Sequence, residues 1–245
     1  MKRLIAFLLC AALCCFQVQA AGWLPLASPG GGGGAVTLNV KGTINTVAGT
    51  NTGVSSNPVT VAAGSNIALL CVIFYGGGAS PPAGLAVKLD ATTSMGSPVV
   101  SSSNAGVGLV EVYLVLSPST GSHTCDATWT STFEPTYIDV YVFNGVNQTG
   151  GTTTLAHSTG TSLLTGATTP ASAPVTSATN DYAFGVFLGG GSSWGAISGL
   201  GNNSSTALSA NFADNYDTGT ASVTLTAAYV GAGTWWAVGF DIVHN

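Results

Sequence analysis

Apolar and polar residues alternate along most of this chain with a period of two, the pattern of strands buried on one face. Residues 109–116 (LVEVYLVL) set Val110, Val112, Leu114 and Leu116 on one face, with Glu111 and Tyr113 on the other. Residues 123–129 (HTCDATW) turn Cys125, Ala127 and Trp129 inward and leave Thr124, Asp126 and Thr128 outside. Residues 137–143 (YIDVYVF) bury Ile138, Val140 and Val142, which assigns Asp139 to the solvent side. Residues 67–75 (IALLCVIFY) are apolar throughout, as a central strand would be. Segments 182–188, 221–229 and 234–243 read as three further strands. The 117–121 stretch (SPSTG) has turn chemistry and predicts a hairpin over 109–129. No window sustains apolar spacing of a helical kind, and the density of Gly, Thr and Val works against helices.

These strands repeat weakly. Residues 66–78 (NIALLCVIFYGGG) resemble 180–191 (NDYAFGVFLGGG), while 121–128 and 136–143 align with 219–226 and 234–241, both at an offset of 98. The expected fold is therefore all-β, a jelly-roll-like or immunoglobulin-like antiparallel sandwich with two pseudo-repeated halves. The Pro-, Ser- and Thr-rich residues 166–180 read as the loop between the halves. Neither half offers enough strands to bury both faces alone, so one domain over 35–245 is expected, preceded by a Gly-rich flexible leader at 21–34.

The first residues change the compartment. Lys2 and Arg3 precede an unbroken apolar run of 13 residues at 4–16, and Val18 and Ala20 supply the small residues that a signal peptidase reads. The run is short of the ~20 residues that span a bilayer. A signal peptide at 1–20, full cleavage and a secreted or cell-surface product without membrane insertion are the expectation.

Cleavage leaves Lys41 and Lys88 against nine carboxylates, a formal charge of −7 with no arginine. Nucleic-acid binding draws its affinity from Lys and Arg on phosphates, so that partner class is excluded. Two cysteines remain, Cys71 and Cys125, both on inward positions of predicted strands. In an oxidising compartment they are expected to pair, the other reading being two buried thiols.

Several segments together resemble a broad group of uncharacterised extracellular β-sandwich domains in bacterial, phage and environmental proteins. They are the apolar strand at 67–74, the 110–129 segment VEVYLVLSPSTGSHTCDATW, the 142–150 segment VFNGVNQTG, the 180–191 segment and the Trp-rich final strand. The resemblance spans roughly residues 60–245. It implies the sandwich fold and transfers no catalytic residue. The two cysteines depart from it, since apolar residues are usual there.

Catalytic chemistry has little foothold. Residues 191–195 (GSSWG) match the G-x-S-x-G string of serine hydrolases, but Gly-rich sequence follows where the nucleophile elbow needs a helix. Glu111, Glu134, Asp126 and Asp139 are the only carboxylates clustered in the strongest strands, and they show no paired spacing of a glycosidase. His123, His157 and His244 are scattered, and no cofactor or metal is expected; the 214–217 stretch (DNYD) offers at most a calcium-binding turn and more simply a solvated one. Sequons at Asn147, Asn202 and Asn203 matter only in a glycosylating host. Trp235 and Trp236 fall on opposite faces of one strand, which allows at most one to be core. Trp194 and Tyr216 fall in segments read as loops, where an exposed ring would suit stacking on a sugar, and are the candidate ligand contacts.

The sequence thus points to a non-catalytic extracellular sandwich that binds a glycan or surface polymer, as an adhesion module. Self-association into a structural or decorating component of a cell surface or virus particle is the alternative, and a secreted hydrolase the third reading.

Overall fold

The computed structural model describes residues 34–245 except 48–50, 77–79, 105–107, 134–135, 158–163, 167–170, 191–192, 198–200, 206–209 and 231–234. The expected signal peptide at 1–20 and all but the last residue of the expected leader lie outside the described residues, as do Glu134 and the first two residues of the G-x-S-x-G string.

The first half contains β1 (Thr37–Lys41), β2 (Asn45–Val47), β3 (Asn51–Ser55), β4 (Val59–Val61), β5 (Ala68–Gly76), β6 (Ala86–Leu89), β7 (Thr93–Ser94), β8 (Val100–Asn104), β9 (Gly108–Leu116), β10 (Gly121–His123), β11 (Cys125–Phe133) and β12 (Thr136–Asn144). After a 3-10 turn at Gly151–Thr153, the second half contains β13 (Leu155–His157), β14 (Leu164–Gly166), β15 (Ala171–Val175), β16 (Tyr182–Gly190), β17 (Ser193–Ile197), β18 (Gly201–Ser205), β19 (Ala210–Thr218), β20 (Val223–Val230) and β21 (Trp235–Ile242).

Each half is a pair of antiparallel sheets. The first inner sheet runs β1-β12-β5-β9-β8 with β2 also on β12, and its outer sheet runs β3-β11-β6-β7. The second inner sheet runs β13-β21-β16-β19-β18 with β14 also on β21, and its outer sheet runs β15-β20-β17. In both halves the first strands lie beside the last, and the next strand out lies beside the last but one. That wrapping is the strand order of a jelly roll. The strands paired by the internal repeat occupy equivalent places: β5 with β16, β11 with β20, and β12 with β21. Asn66 and Asn180, the residues that open the first repeated segment, both sit in the left-handed region, at φ 54° and 79°. Asn tolerates that conformation better than any side chain but Gly's absence of one.

A separate two-stranded sheet pairs β10 with β4 in the first half. Three apolar layers separate the four larger sheets. On β5, Leu69, Cys71, Ile73 and Tyr75 face the outer sheet of their own half, and Ala68, Leu70, Val72 and Phe74 face the other half. The middle layer joins the two inner sheets. Phe74 and Tyr137 from the first half meet Trp236 and Phe212 from the second, with ring centroids 6.1 Å apart for Phe74–Trp236 and 5.7 Å for Tyr137–Phe212. Tyr141 meets Phe184 edge-on at 4.9 Å. The third layer, between β16, β19 and β21 and the second outer sheet, is built of smaller residues: Ala171, Ala173, Ala183, Ala213, Ala227 and Ala237 around Phe187, Leu225 and Trp235.

This stacking corrects several expectations. Trp235 and Trp236 do point to opposite faces, yet both are buried, because β21 is a central strand with a layer on each side. Asp139 is fully buried rather than solvent-facing, for the same reason on β12. Its carboxylate accepts hydrogen bonds from the Val140 amide at 2.8 Å and the Tyr141 hydroxyl at 3.0 Å. The 109–129 hairpin does not form: β9 pairs with β5 and β8, whereas β11 pairs with β3 and β6. Alternation gives both strands an inward face but does not say which sheet each one joins. The 166–180 loop is also replaced, because residues 171–175 form β15 along β20. Pro174 is tolerated there since β15 is an edge strand, where a missing N–H breaks no ladder bond.

Candidate functional site

Cys71 on β5 and Cys125 on β11 form a disulfide with Cα atoms 6.2 Å apart. It ties the inner sheet of the first half to its outer sheet, and both residues are fully buried. The bond anchors β11 beside the loop corner that carries the most concentrated polar chemistry of this half.

At that corner His123 is held on both nitrogens. Nδ1 lies 2.7 Å from Asp90 Oδ2, and Nε2 lies 2.8 Å from the Ser119 carbonyl oxygen and 3.4 Å from Ser119 Oγ. Asp90 also accepts the Thr124 amide at 2.9 Å, and Asp126 accepts the Ala91 amide and the Thr124 hydroxyl. Asp90 and Ala91 both have positive φ, 52° and 56°, so this network holds a tight turn that ordinary residues resist. Pairing of β11 with β6 brings Asp90 and His123, 33 residues apart, together.

Serine, histidine and aspartate in contact suggest a hydrolytic triad, which sequence reading missed because Asp90 lies 33 residues before His123. The proton inventory points the other way. Both ring nitrogens face acceptors, so both carry hydrogen, and no lone pair is left to take a proton from Ser119 Oγ. Burial would lower the His123 pKa, but the Asp90 hydrogen bond and the Ser119 carbonyl outweigh it and raise it. Desolvation likewise opposes ionisation of Asp90, yet the Thr124 amide and His123 hold its carboxyl below the usual range. His123 therefore acts as a cationic pin between two turns.

The pin makes stability depend on pH in a stated window. His123 binds its proton more tightly folded than unfolded, so its contribution is complete below the ordinary histidine pKa and is lost as pH rises through the raised value. The Asp90 contribution is present above the ordinary aspartate pKa and is lost as pH falls through the depressed one. We expect His123→Gln to lower Tm most in mildly acidic buffer, and the gap to wild type to narrow in alkaline buffer. A gap independent of pH, read by thermal denaturation, would contradict the pin.

Beside this clamp the 117–121 turn and the 63–67 segment enclose a shallow open depression of about 210 Å³. No charged side chain lines it.

A second cluster closes the matching corner of the other half. Ser177 Oγ donates to Asp241 Oδ1 at 2.6 Å, and Asp181 Oδ1 lies 2.5 Å from His244 Nδ1 and accepts the His244 amide at 2.8 Å. Burial and the neighbouring Asp181 push Asp241 up to about 7, against the lowering effect of the Ser177 bond. A carboxyl raised on folding stabilises the fold while protonated, so this contribution is whole below the ordinary aspartate range and is lost as pH rises to about 7. Asp241→Asn should flatten the decline in Tm between acidic and neutral buffer. An unchanged pH profile in that variant would remove Asp241 as its cause.

Glu111 lies inside the first sandwich, 4% exposed, with the Tyr113 hydroxyl donating to it at 2.7 Å. Burial raises its pKa against the pull of the tyrosine hydroxyls. Its partners are phenols rather than a second carboxylate across a cleft, which is what glycosidase chemistry needs. Ser193 opens β17 opposite Val230, and strand follows it where a nucleophile elbow requires a helix.

The two aromatic candidates do not form a loop platform. Trp194 belongs to β17, paired with Tyr229, and its side chain lies outside the described residues. Tyr216 belongs to β19 and is 6% exposed, packed against Tyr141, Tyr182 and Phe184. The 214–217 segment is strand rather than a calcium turn, with Asp214 fully buried. Polar letters at alternate positions of β19 concealed a strand whose Asp214 and Tyr216 face the middle layer. Among the described residues, no group of three or more His, Cys, Asp or Glu could hold a metal ion, and no helix is long and apolar enough to cross a membrane.

Geometry defines the class: an all-β pair of stacked jelly rolls, the first of them cross-linked between its two sheets by a disulfide. No family model matches the chain, and a search of curated proteins returned no match.

Proposed function

We propose that this is a non-catalytic extracellular binding module that attaches to an uncharged glycan or similar surface polymer. The observation that carries the reading is the uncharged, hydroxyl- and amide-bearing depression at the 63–67 and 117–121 corner, set on a cross-linked scaffold. Binding sites work best when their polar groups are held in place before the ligand arrives. The corner meets that condition through the His123 pin and the disulfide behind it. The same pin leaves the Ser119–His123–Asp90 contact without a free base, which favours binding over hydrolysis at this corner.

Passing the mature protein over immobilised neutral polysaccharides (cellulose, chitin, mannan and a galactan) tests the reading. Retention on at least one, released by soluble fragments of the same polymer, is the expected result. Elution in the void volume from every neutral and bacterial-wall polysaccharide tried would overturn it.

The outer sheets favour a second reading, lateral assembly. Ser55, Thr128 and Thr130 on one side and Pro174 and Thr224 on the other are exposed and uncharged, so copies approach with little repulsion. Sedimentation velocity at several concentrations separates the two: regular growth of large species favours assembly, and a single monomeric boundary favours the binding module.

A further inference from the structure

The two halves use one corner of the jelly roll in opposite ways. The repeat that aligns Asn66 with Asn180 also aligns Ala63 with Ser177 and Ile67 with Asp181. Likewise, Ser117 follows β9 as Gly219 follows β19, and the two make the same backbone bond: the Ser117 amide to the Ile67 carbonyl at 2.8 Å, and the Gly219 amide to the Asp181 carbonyl at 2.8 Å. In the second half the corner is shut. Ser177, Asp181 and Asp241 bond among themselves and with His244, and a Cβ on Gly219 would run into the Ser177 hydroxyl. In the first half Ala63 and Ile67 replace the bonding groups, and the depression lies there.

Its rim is held stiffly. Asn66 and Ser117 both adopt left-handed backbone, at φ 54° and 48°, a conformation serine rarely takes. Gln148 braces them: its amide accepts from Ser117 Oγ at 2.9 Å and donates to the Val146 carbonyl at 2.9 Å and the Ile67 carbonyl at 3.3 Å. The Val146 amide in turn donates to the Asn66 carbonyl at 2.9 Å. Strained residues persist where surrounding contacts over-determine them, and such places are enriched in ligand sites.

Building on the glycan-binding reading above, we propose that this depression is a subsite for a single uncharged sugar ring, a terminal or branch residue of the polymer. The chemistry of the lining selects that class. A charged ligand would lose water without meeting a counter-charge, because the nearest described ion pair, Asp90 with His123, is already satisfied. Ser117 Oγ spends its proton on Gln148, so its lone pairs are left to accept from a ligand hydroxyl. Thr120 is exposed on the opposite rim and both donates and accepts. Ala63, Ile67 and Pro118 give an apolar floor for the C–H face of a pyranose. At about 210 Å³ the space is smaller than sites that enclose drug-sized molecules, roughly 300–1,000 Å³, and suits one ring rather than a chain.

The test is a titration of the isotopically labelled mature protein with the methyl glycosides of glucose, galactose and mannose and with N-acetylglucosamine, followed by amide chemical shifts. Saturable shifts centred on Asn66, Ser117 and Thr120 are expected for at least one sugar. Thr120→Val should weaken that binding about tenfold, the effect of losing one well-placed hydrogen bond. Ala63→Leu, at an exposed position, should fill the space and abolish binding with Tm unchanged. If the protein is retained on a polysaccharide but these amides stay still, or Ala63→Leu binds as wild type does, the subsite is wrong while the broader reading stands. If no sugar shifts any amide and no polysaccharide retains the protein, both are overturned.

Discussion

Replacing Cys71 and Cys125 together by alanine should lower stability by about 4 kcal/mol, the loop-closure entropy of a crosslink spanning 54 residues. For a chain of this size that corresponds to a fall in Tm of roughly 10 °C. The effect is large because of what the bond joins. β5 is the central strand of an inner sheet, buried along all nine residues, and β11 is the strand of the outer sheet to which β3 and β6 both attach. Without the crosslink the outer sheet is held by the Trp129–Tyr75 contact and by smaller apolar residues such as Val54, Val87 and Leu89. Calorimetry of the double-alanine variant beside wild type measures it. A shift of only a degree or two would mean that the unfolded chain gains little freedom from losing the crosslink.

Trp236→Ala should cost about 4 kcal/mol, the range for truncating a large buried aromatic. The ring is fully buried in the middle layer and meets Phe74 of the other half. Because that layer belongs to both halves, the whole molecule should unfold earlier in one transition. A Phe74→Ala and Trp236→Ala cycle should show coupling of about 0.5–1.5 kcal/mol, the value of an aromatic pair beyond its buried area. Two separated transitions in the single variant would show that the halves are energetically independent, contrary to the shared layer.

Much of this architecture was legible in the chain. Period-two alternation located β9, β12, β16 and β21 to within a residue or two at their ends, and Cys71 and Cys125 declared themselves by pointing inward on strands. The offset of 98 anticipated the duplicated jelly roll. The sequence misled where a strand is covered on both faces. Asp139, and one of Trp235 and Trp236, read as exposed because half-burial is the ordinary state of an antiparallel strand and nothing local announces a second layer. Asp214 and Tyr216 read as turn and loop because their polar neighbours hid a strand. Sheet membership was hidden for a related reason: the turn at 117–121 can return a strand to its neighbour or carry it across the sandwich, and its residues suit both. The Asp90–His123 contact was invisible because strand register, rather than spacing, creates it.

The middle layer also sets the order in which the molecule can be completed as it is made. The first half leaves the ribosome before the second, with Phe74, Tyr137, Tyr141 and Phe143 on one bare sheet face. The cover of that face is complete only when residues through Ile242 have arrived, since β16, β19 and β21 supply its partners. A sheet face of this kind is prone to stick to its copies during the wait. Yield of the folded protein should therefore depend on how fast the last strand follows the first half, and on whatever shields the nascent chain meanwhile.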